Sequence, residues 1–268
     1  MNFILNNGLK LPALGFGTYK ASREAMSFAV EAGYRYFDTA SFYGNEGVLG
    51  EVLRATGRPR EEFIIASKVW KSDMGYEAAL RAFSCTLDKL GTEYLDVYLI
   101  HWPQEGLDLE TWRAMEELYR QGKVRALGLS NFLPYHAEKI ITSCEVMPSV
   151  AQLEFHAGHM QTPAMLYYQS KGILVQAWSP AARGRVLDDE LIVELAAKYH
   201  ASPVQVCLSF CLHEGVMPLP KASSLPRMRE NLESVNIELS AEDMMRLENI
   251  PPKGWSGEHP DRARVKIV

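Results

Sequence analysis

The chain has 268 residues, 47% of them hydrophobic and 23% charged, with a formal net charge of −5. That balance suits a globular protein with a sizeable core, and there is no basic run of the kind that binds nucleic acid. The opening MNFILNNGLKLP has no charged segment leading into a long apolar one, and no apolar run approaches the roughly 20 residues of a membrane helix, so no membrane association and a cytoplasmic location are expected.

In chain order, FILNNGLKLP reads first as a hairpin around an Asn-Gly turn. Short apolar runs then recur: ALGFGTY (13–19), YRYFDT (34–39), FIIASKVW (63–70) and YLDVYLIHW (94–102). After them come VRALGLSN (124–131), SVAQLEF (149–155), ILVQAW (173–178) and VMPLPKA (216–222). They are rich in Val, Ile, Leu and aromatics, as strands buried on both faces should be. Helical stretches separate them. REAMSFAVEAG, YEAALRAFSCTLDKLG and TWRAMEELYRQG each close on a glycine (Gly33, Gly91, Gly122), which tolerates the left-handed turn past a helix. AMLYYQSKG, ELIVELAAKYH and PVQVCLSFCLHEG continue the series.

Eight such alternations predict a (β/α)8 barrel, with 1–268 as a single domain and the N-terminal hairpin capping the barrel bottom. An open doubly wound sheet would also alternate, but it wants a glycine-rich phosphate turn after its first strand. GFGTYK supplies only Gly15 and Gly17, with Lys20 where the third glycine belongs. Cys85, Cys144, Cys207 and Cys211 form no CxxC pair. Cys207 and Cys211 share a helical face and read as core, in a reduced chain. The tail PPKGWSGEHPDRARVKIV is irregular and is expected to lie over the barrel rim.

Polar residues interrupt the predicted strands at their far ends. Asp38, Lys68 and His101 end three consecutive strands, and Tyr43 follows on the loop after the first of these. Ser130 and Asn131, then Gln152, then Trp178 and Ser179, then Lys221 continue round the predicted rim, where barrel active sites form. Each residue alone has an ordinary reading: a turn aspartate, a surface lysine, a core histidine, a wall tyrosine. Their convergence at successive strand ends, about 4.8 Å apart, favours a site. His156 and His159 make an HxxH pair with no third ligand, so no metal is expected.

A tyrosine is a proton donor at neutral pH, and a nearby ammonium favours its phenolate. A carboxylate keeps the lysine charged, and a histidine can orient a substrate oxygen. The set suits protonation of an oxygen that gains charge as a carbonyl is reduced. No side chain delivers hydride, so a cofactor is required. Ser130, Asn131 and Gln152 offer groups to a nicotinamide carboxamide, and Trp178 a face for its ring. Lys221 and Arg227 flank the start of a helix near Pro226, an anion site suited to the 2′-phosphate of NADP. Tyr19, Trp70 and Trp102 sit at strand ends and are expected to line an apolar substrate pocket.

The segments GYRYFDTASFYGNE, IIASKVW, LIHWP, GKVRALGLSNF, QLEFH, QAWSP and LPKASSLPRMREN together resemble the aldo-keto reductases over nearly the whole chain. The resemblance is to the shorter prokaryote-type members, including diketogluconate reductases. It implies a (β/α)8 barrel holding NADP(H), active on aldehydes and ketones. Asp38, Tyr43, Lys68 and His101 match the family's catalytic tetrad, with Tyr43 as general acid in reduction. Ser130, Asn131, Gln152 and Trp178 match its nicotinamide positions and Ser179 a pyrophosphate contact. Lys221, Ser223, Arg227, Glu230 and Asn231 match the adenosine and 2′-phosphate segment.

Three departures stand out. Ala181 and Ala182 follow the Ser-Pro where leucine and glycine are common. Ala222 stands where a hydroxyl residue is usual after the lysine, so NADPH is favoured but NADH becomes possible. QLEFHAGHMQ lacks the usual proline and aromatic after the histidine. The resemblance also points to a monomer. Two rival readings remain, a barrel that only senses NADP(H) and an isomerase of phosphorylated sugars. The intact tetrad disfavours the first. The absence of a glycine-rich phosphate site in PLPKASS disfavours the second.

Overall fold

The computed structural model describes residues 2–257 and 259–261. Two antiparallel strands, β1 (Asn2–Ile4) and β2 (Lys10–Pro12), form the expected hairpin. Its Leu5 and Leu11 are buried against Val97, Ala126 and Val150 inside the barrel. Asn6 donates to the Pro148 carbonyl at 2.9 Å and Asn7 to the Arg125 carbonyl at 2.8 Å. These bonds plug the hairpin into the end of the barrel where the strands begin.

The barrel elements alternate as the sequence predicts. They are β3 (Phe16–Gly17), α1 (Arg23–Ala32), β4 (Tyr36–Asp38), α2 (Glu46–Ala55), β5 (Ile64–Val69), α3 (Tyr76–Leu90), β6 (Leu95–Ile100) and α4 (Asp108–Arg120). Next are β7 (Val124–Ser130), α5 (Pro134–Ile141), β8 (Val150–Glu154), α6 (Thr162–Ser170), β9 (Leu174–Trp178), α7 (Glu190–Lys198), α8 (Pro203–His213), β10 (Met217–Leu219), α9 (Leu225–Glu233) and α10 (Ala241–Glu248). Strands β3 to β10 are parallel and neighbour one another in chain order. The Gly15 amide donates to the Pro218 carbonyl at 3.1 Å and the Gly17 amide to Pro220 at 3.0 Å, which draws the last strand back to the first. The result is a nearly closed (β/α)8 barrel.

Local chemistry sets these boundaries. The Ser22 hydroxyl accepts the Ala25 amide to start α1, and Gly33 at φ +114° ends it. Ser202 and Gln205 form a capping box at α8, with Pro203 in the first turn. Every residue of β6 is buried, including Asp96, whose charge is met by Arg60 at 2.8 Å and Arg125 at 2.9 Å. Cys207 and Cys211 lie buried on α8 as free thiols, and burial pushes the Cys207 thiol up to about 12.

Helices α2, α5 and α10 were not among the helical stretches read from the sequence. In α2 the apolar positions Leu49, Val52 and Leu53 are buried, but Gly47 and Gly50 dilute the pattern. Gly50 lets α2 rest directly on the end of α3, since a Cβ there would fall 2.7 Å from the Leu90 carbonyl carbon.

Beyond α10 the chain crosses the rim where the strands end. The Lys253 amide donates to Gly158 at 2.8 Å, and Arg185 donates to the carbonyls of Lys253 and Gly254 at 3.1 and 3.0 Å. Residues 258 and 262–268 of the predicted tail lie outside the described residues. Among the described residues no helix is long and apolar enough to cross a membrane.

Candidate functional site

Strand register gathers the polar residues at one rim. Asp38 is the last residue of β4, Lys68 the second-last of β5, and His101 directly follows β6. Ser130 ends β7 opposite Gln152 on β8, and Trp178 ends β9 opposite Glu154. Tyr43 closes a 3-10 turn, Ser41–Tyr43, completed by Gly44 at φ +69°. The Ser41 hydroxyl donates to the Lys68 carbonyl at 3.1 Å, tying that turn to β5.

Lys68 is 0% exposed. Its Nζ donates to Asp38 Oδ2 at 2.6 Å, to the Thr39 carbonyl at 2.9 Å and to the Tyr43 hydroxyl at 3.3 Å. Three acceptors match the three donors of an ammonium. Burial pulls the Lys68 pKa below its ordinary value, and Asp38 opposes the shift by charge and hydrogen bond. Asp38 is held in turn by Gln152, whose Nε2 donates to Oδ1 at 2.8 Å. The Tyr43 and His101 rings lie 5.6 Å apart, nearly perpendicular. A phenolic oxygen that accepts from Lys68 directs its own proton elsewhere.

The neighbouring strand ends are equally pinned. Asn131 takes a left-handed backbone, φ +62°. Its amide donates to the His101 carbonyl at 2.9 Å and accepts from the Trp178 indole at 2.8 Å. The indole plane is therefore fixed relative to His101. Ser179, Ala182 and Arg183 also have positive φ, at +53°, +51° and +56°. Ala182 thus occupies backbone space that glycine would fill without strain.

A cavity of about 1120 Å³ runs along this rim. Asp38, Tyr43 and His101 line it, with Lys68 buried beneath them. Ser130, Asn131, Gln152, Trp178 and Ser179 line its middle. Lys221, Ser223, Arg227, Glu230 and Asn231 line its far end, where α9 begins. Neither Lys221 nor Arg227 has a carboxylate partner among the described residues. An elongated cleft with polar groups at one end and two cations beside a helix start at the other fits a phosphorylated dinucleotide.

Of the expected aromatic residues, Tyr19 and Trp102 line the cavity, and the Tyr19 ring lies 5.0 Å from Tyr43. The Trp70 ring lies 5.0 Å from the His101 ring and stacks on Phe42 at 3.9 Å. Phe42 also lines the cavity. The sequence reading passed over it because it sits between better-marked neighbours, Ser41 and Tyr43. Lys20, Arg183, Ser256 and Gly257 also line the cavity unforeseen. Only tertiary closure brings the last two there. The Ser256 amide donates to Glu154 Oε1 at 2.7 Å, and its hydroxyl also bonds that oxygen. Burial alone would raise the Glu154 carboxyl, but nearby His156 and the Ser256 donors outweigh it and hold it below its ordinary value. His156 and His159 face each other across a tight turn. Among the described residues no three His, Cys, Asp or Glu side chains are grouped to hold a metal.

With this geometry in hand, known proteins give a consistent picture. The sequence model of the aldo/keto reductase family matches residues 13–251. A glyoxal reductase of Bacillus subtilis (strain 168) is 40% identical over 262 residues, covering 96% of this chain and 95% of the relative. An uncharacterized oxidoreductase of the same organism is 40% identical over 266 residues, covering 96% and 95%. The structure of a silkworm (Bombyx mori) aldo-keto reductase in complex with NADPH superposes with a TM-score of 0.90 at 29% identity, covering 96% of this chain and 90% of the other.

Proposed function

The chain belongs to the aldo/keto reductase family, and from that premise we propose that it reduces aldehydes and ketones to alcohols with NADPH, Tyr43 giving the proton. The observation that carries this reading is the Lys68 ammonium, buried beneath the cavity and donating at once to Asp38, Thr39 and Tyr43. When bound, the reduced nicotinamide supplies the hydride. The protein's residues do the rest. Tyr43 donates to the carbonyl oxygen as charge develops there, and Lys68 stabilises the phenolate left behind. Asp38 keeps Lys68 charged, and His101 orients the carbonyl. Asn131 is held by His101 and Trp178. Its amide, with the Ser130 hydroxyl and Gln152, would meet the carboxamide, and the Trp178 face would take the ring. Ser179 would contact the pyrophosphate. Ser223, Glu230 and Asn231 would hold the adenosine, and Tyr19, Trp70 and Trp102 with Phe42 would shape the carbonyl pocket. The chain works as one barrel domain, a cytoplasmic monomer.

The deciding experiment is a carbonyl panel run with NADPH and NADH side by side. It should include glyoxal, for the named relative, and an activated aromatic aldehyde. Turnover with NADPH is expected. NADPH binding without turnover of any carbonyl would convert the reading to a cofactor sensor.

Lys221 and Arg227 would favour NADPH by meeting its 2′-phosphate. Lys221→Met is expected to weaken NADPH by about tenfold, the scale of one charge-assisted contact, and to leave NADH nearly unchanged. Fluorescence titration of both cofactors measures this. Equal losses for the two would remove Lys221 from the 2′-phosphate site.

A further inference from the structure

Glu46 is the first residue of α2, three positions beyond Tyr43, and the proposed chemistry makes no use of it. It is only 1% exposed. Its Oε1 accepts the Ser67 hydroxyl at 2.6 Å, while Oε2 is buried with no hydrogen-bond partner among the described residues. A buried carboxylate with one hydroxyl donor is costly unless a cation balances it. The amino terminus of α2 offers a partial positive charge, which falls short of matching a full negative one. Ser67 adjoins Lys68 on β5, and alternation along a strand turns their side chains to opposite faces. Glu46 therefore sits behind the strand that carries Lys68. Helices α1 and α3 also pack on α2, and Arg23 of α1 pairs there with the exposed Glu51. The groups nearer Lys68 are Asp38 on β4, Tyr43 in the following turn, Lys68 itself on β5, Tyr98 on β6 and His101 beyond it, with Asp73 acting on Tyr98. Lys68 is the cation among them, and Glu46 joins Asp38 in opposing its loss of charge.

We propose that Glu46 is a positioning residue, a second carboxylate that from behind β5 holds Lys68 as an ammonium and keeps Tyr43 a phenol until a substrate oxygen takes its proton. This rests on Tyr43 being the proton donor of the proposed reduction. Removing a negative charge makes proton loss easier for the phenol and the ammonium alike, so both effects carry the same sign.

Glu46→Gln is expected to move the alkaline limb of kcat/KM for aldehyde reduction down by about half to one pH unit, the scale of a charge acting across partly buried protein. In the cofactor-free protein, the near-ultraviolet tyrosinate titration isolates Tyr43 as the difference between each form and its Tyr43→Phe counterpart. Its midpoint should fall in the same direction. Glu46→Asp keeps the charge but withdraws it by a methylene, and should give a smaller shift of the same sign. A merely structural Glu46 would lower stability or turnover with the limb and the tyrosinate midpoint unmoved, and that result overturns the proposal. Where the Gln variant does not fold, an unmoved midpoint in Glu46→Asp overturns it equally. A wild-type protein that reduces no carbonyl would defeat the proton-donor reading, while the titration still decides whether Glu46 acts on Tyr43.

Discussion

Tyr43→Phe is expected to lower carbonyl reduction by about 10²- to 10⁴-fold, the usual contribution of a positioned general acid, with NADPH affinity nearly unchanged. The substitution removes one oxygen and leaves the ring. The contacts of that ring with Tyr19, at 5.0 Å, and His101, at 5.6 Å, are apolar or edgewise and should survive. Lys68 loses one acceptor at 3.3 Å but keeps Asp38 at 2.6 Å and Thr39 at 2.9 Å, so the buried charge stays compensated. The loss should therefore fall on kcat, with little change in Kd for cofactor or in Tm. Steady-state kinetics with an activated aldehyde, alongside a cofactor titration, separates these quantities. Turnover within a few fold of wild type would remove Tyr43 from the donor role and leave His101 to be tested in its place.

Much of this geometry was legible in the sequence because a barrel writes its site at regular intervals. Asp38, Lys68 and His101 each stand at or near the end of a run rich in Ile, Val, Leu or aromatic residues. Burial on both faces made the runs visible, and the strand rhythm told which end they shared. What stayed hidden had weaker local signals. Helix α2 carries two glycines, one of which serves its approach to Leu90, so its apolar spacing reads poorly. Phe42 stacks on Trp70, a contact between neighbouring loops that no local pattern announces. Ser256 reaches the site through a hydrogen bond to Glu154, more than a hundred positions earlier in the chain, which no local pattern encodes. Glu46 begins α2, a helix the sequence pattern does not mark. Its burial behind Lys68 depends on how α2 packs against β5.

Lys68→Met carries the largest combined effect. The variant keeps an unbranched side chain of similar reach and deletes the ammonium, so Asp38 remains buried with Gln152 as its donor at 2.8 Å. Breaking a buried ion pair by removing one partner costs about 3–5 kcal/mol, because the remaining charge is left uncompensated. Activity should fall at least as far as in Tyr43→Phe, since no cation then stabilises the phenolate. Loss of fold and loss of chemistry are confounded in that single variant. The double variant Asp38→Asn with Lys68→Met separates them. Neutralising both partners removes the stranded charge, so most of the stability should return. Activity should not return, because the ammonium beside Tyr43 is still missing. Denaturant unfolding and aldehyde kinetics on the two single variants and the double variant give both readings. Recovery of turnover in the double variant would mean that Lys68 serves the fold alone and that Tyr43 acts without it.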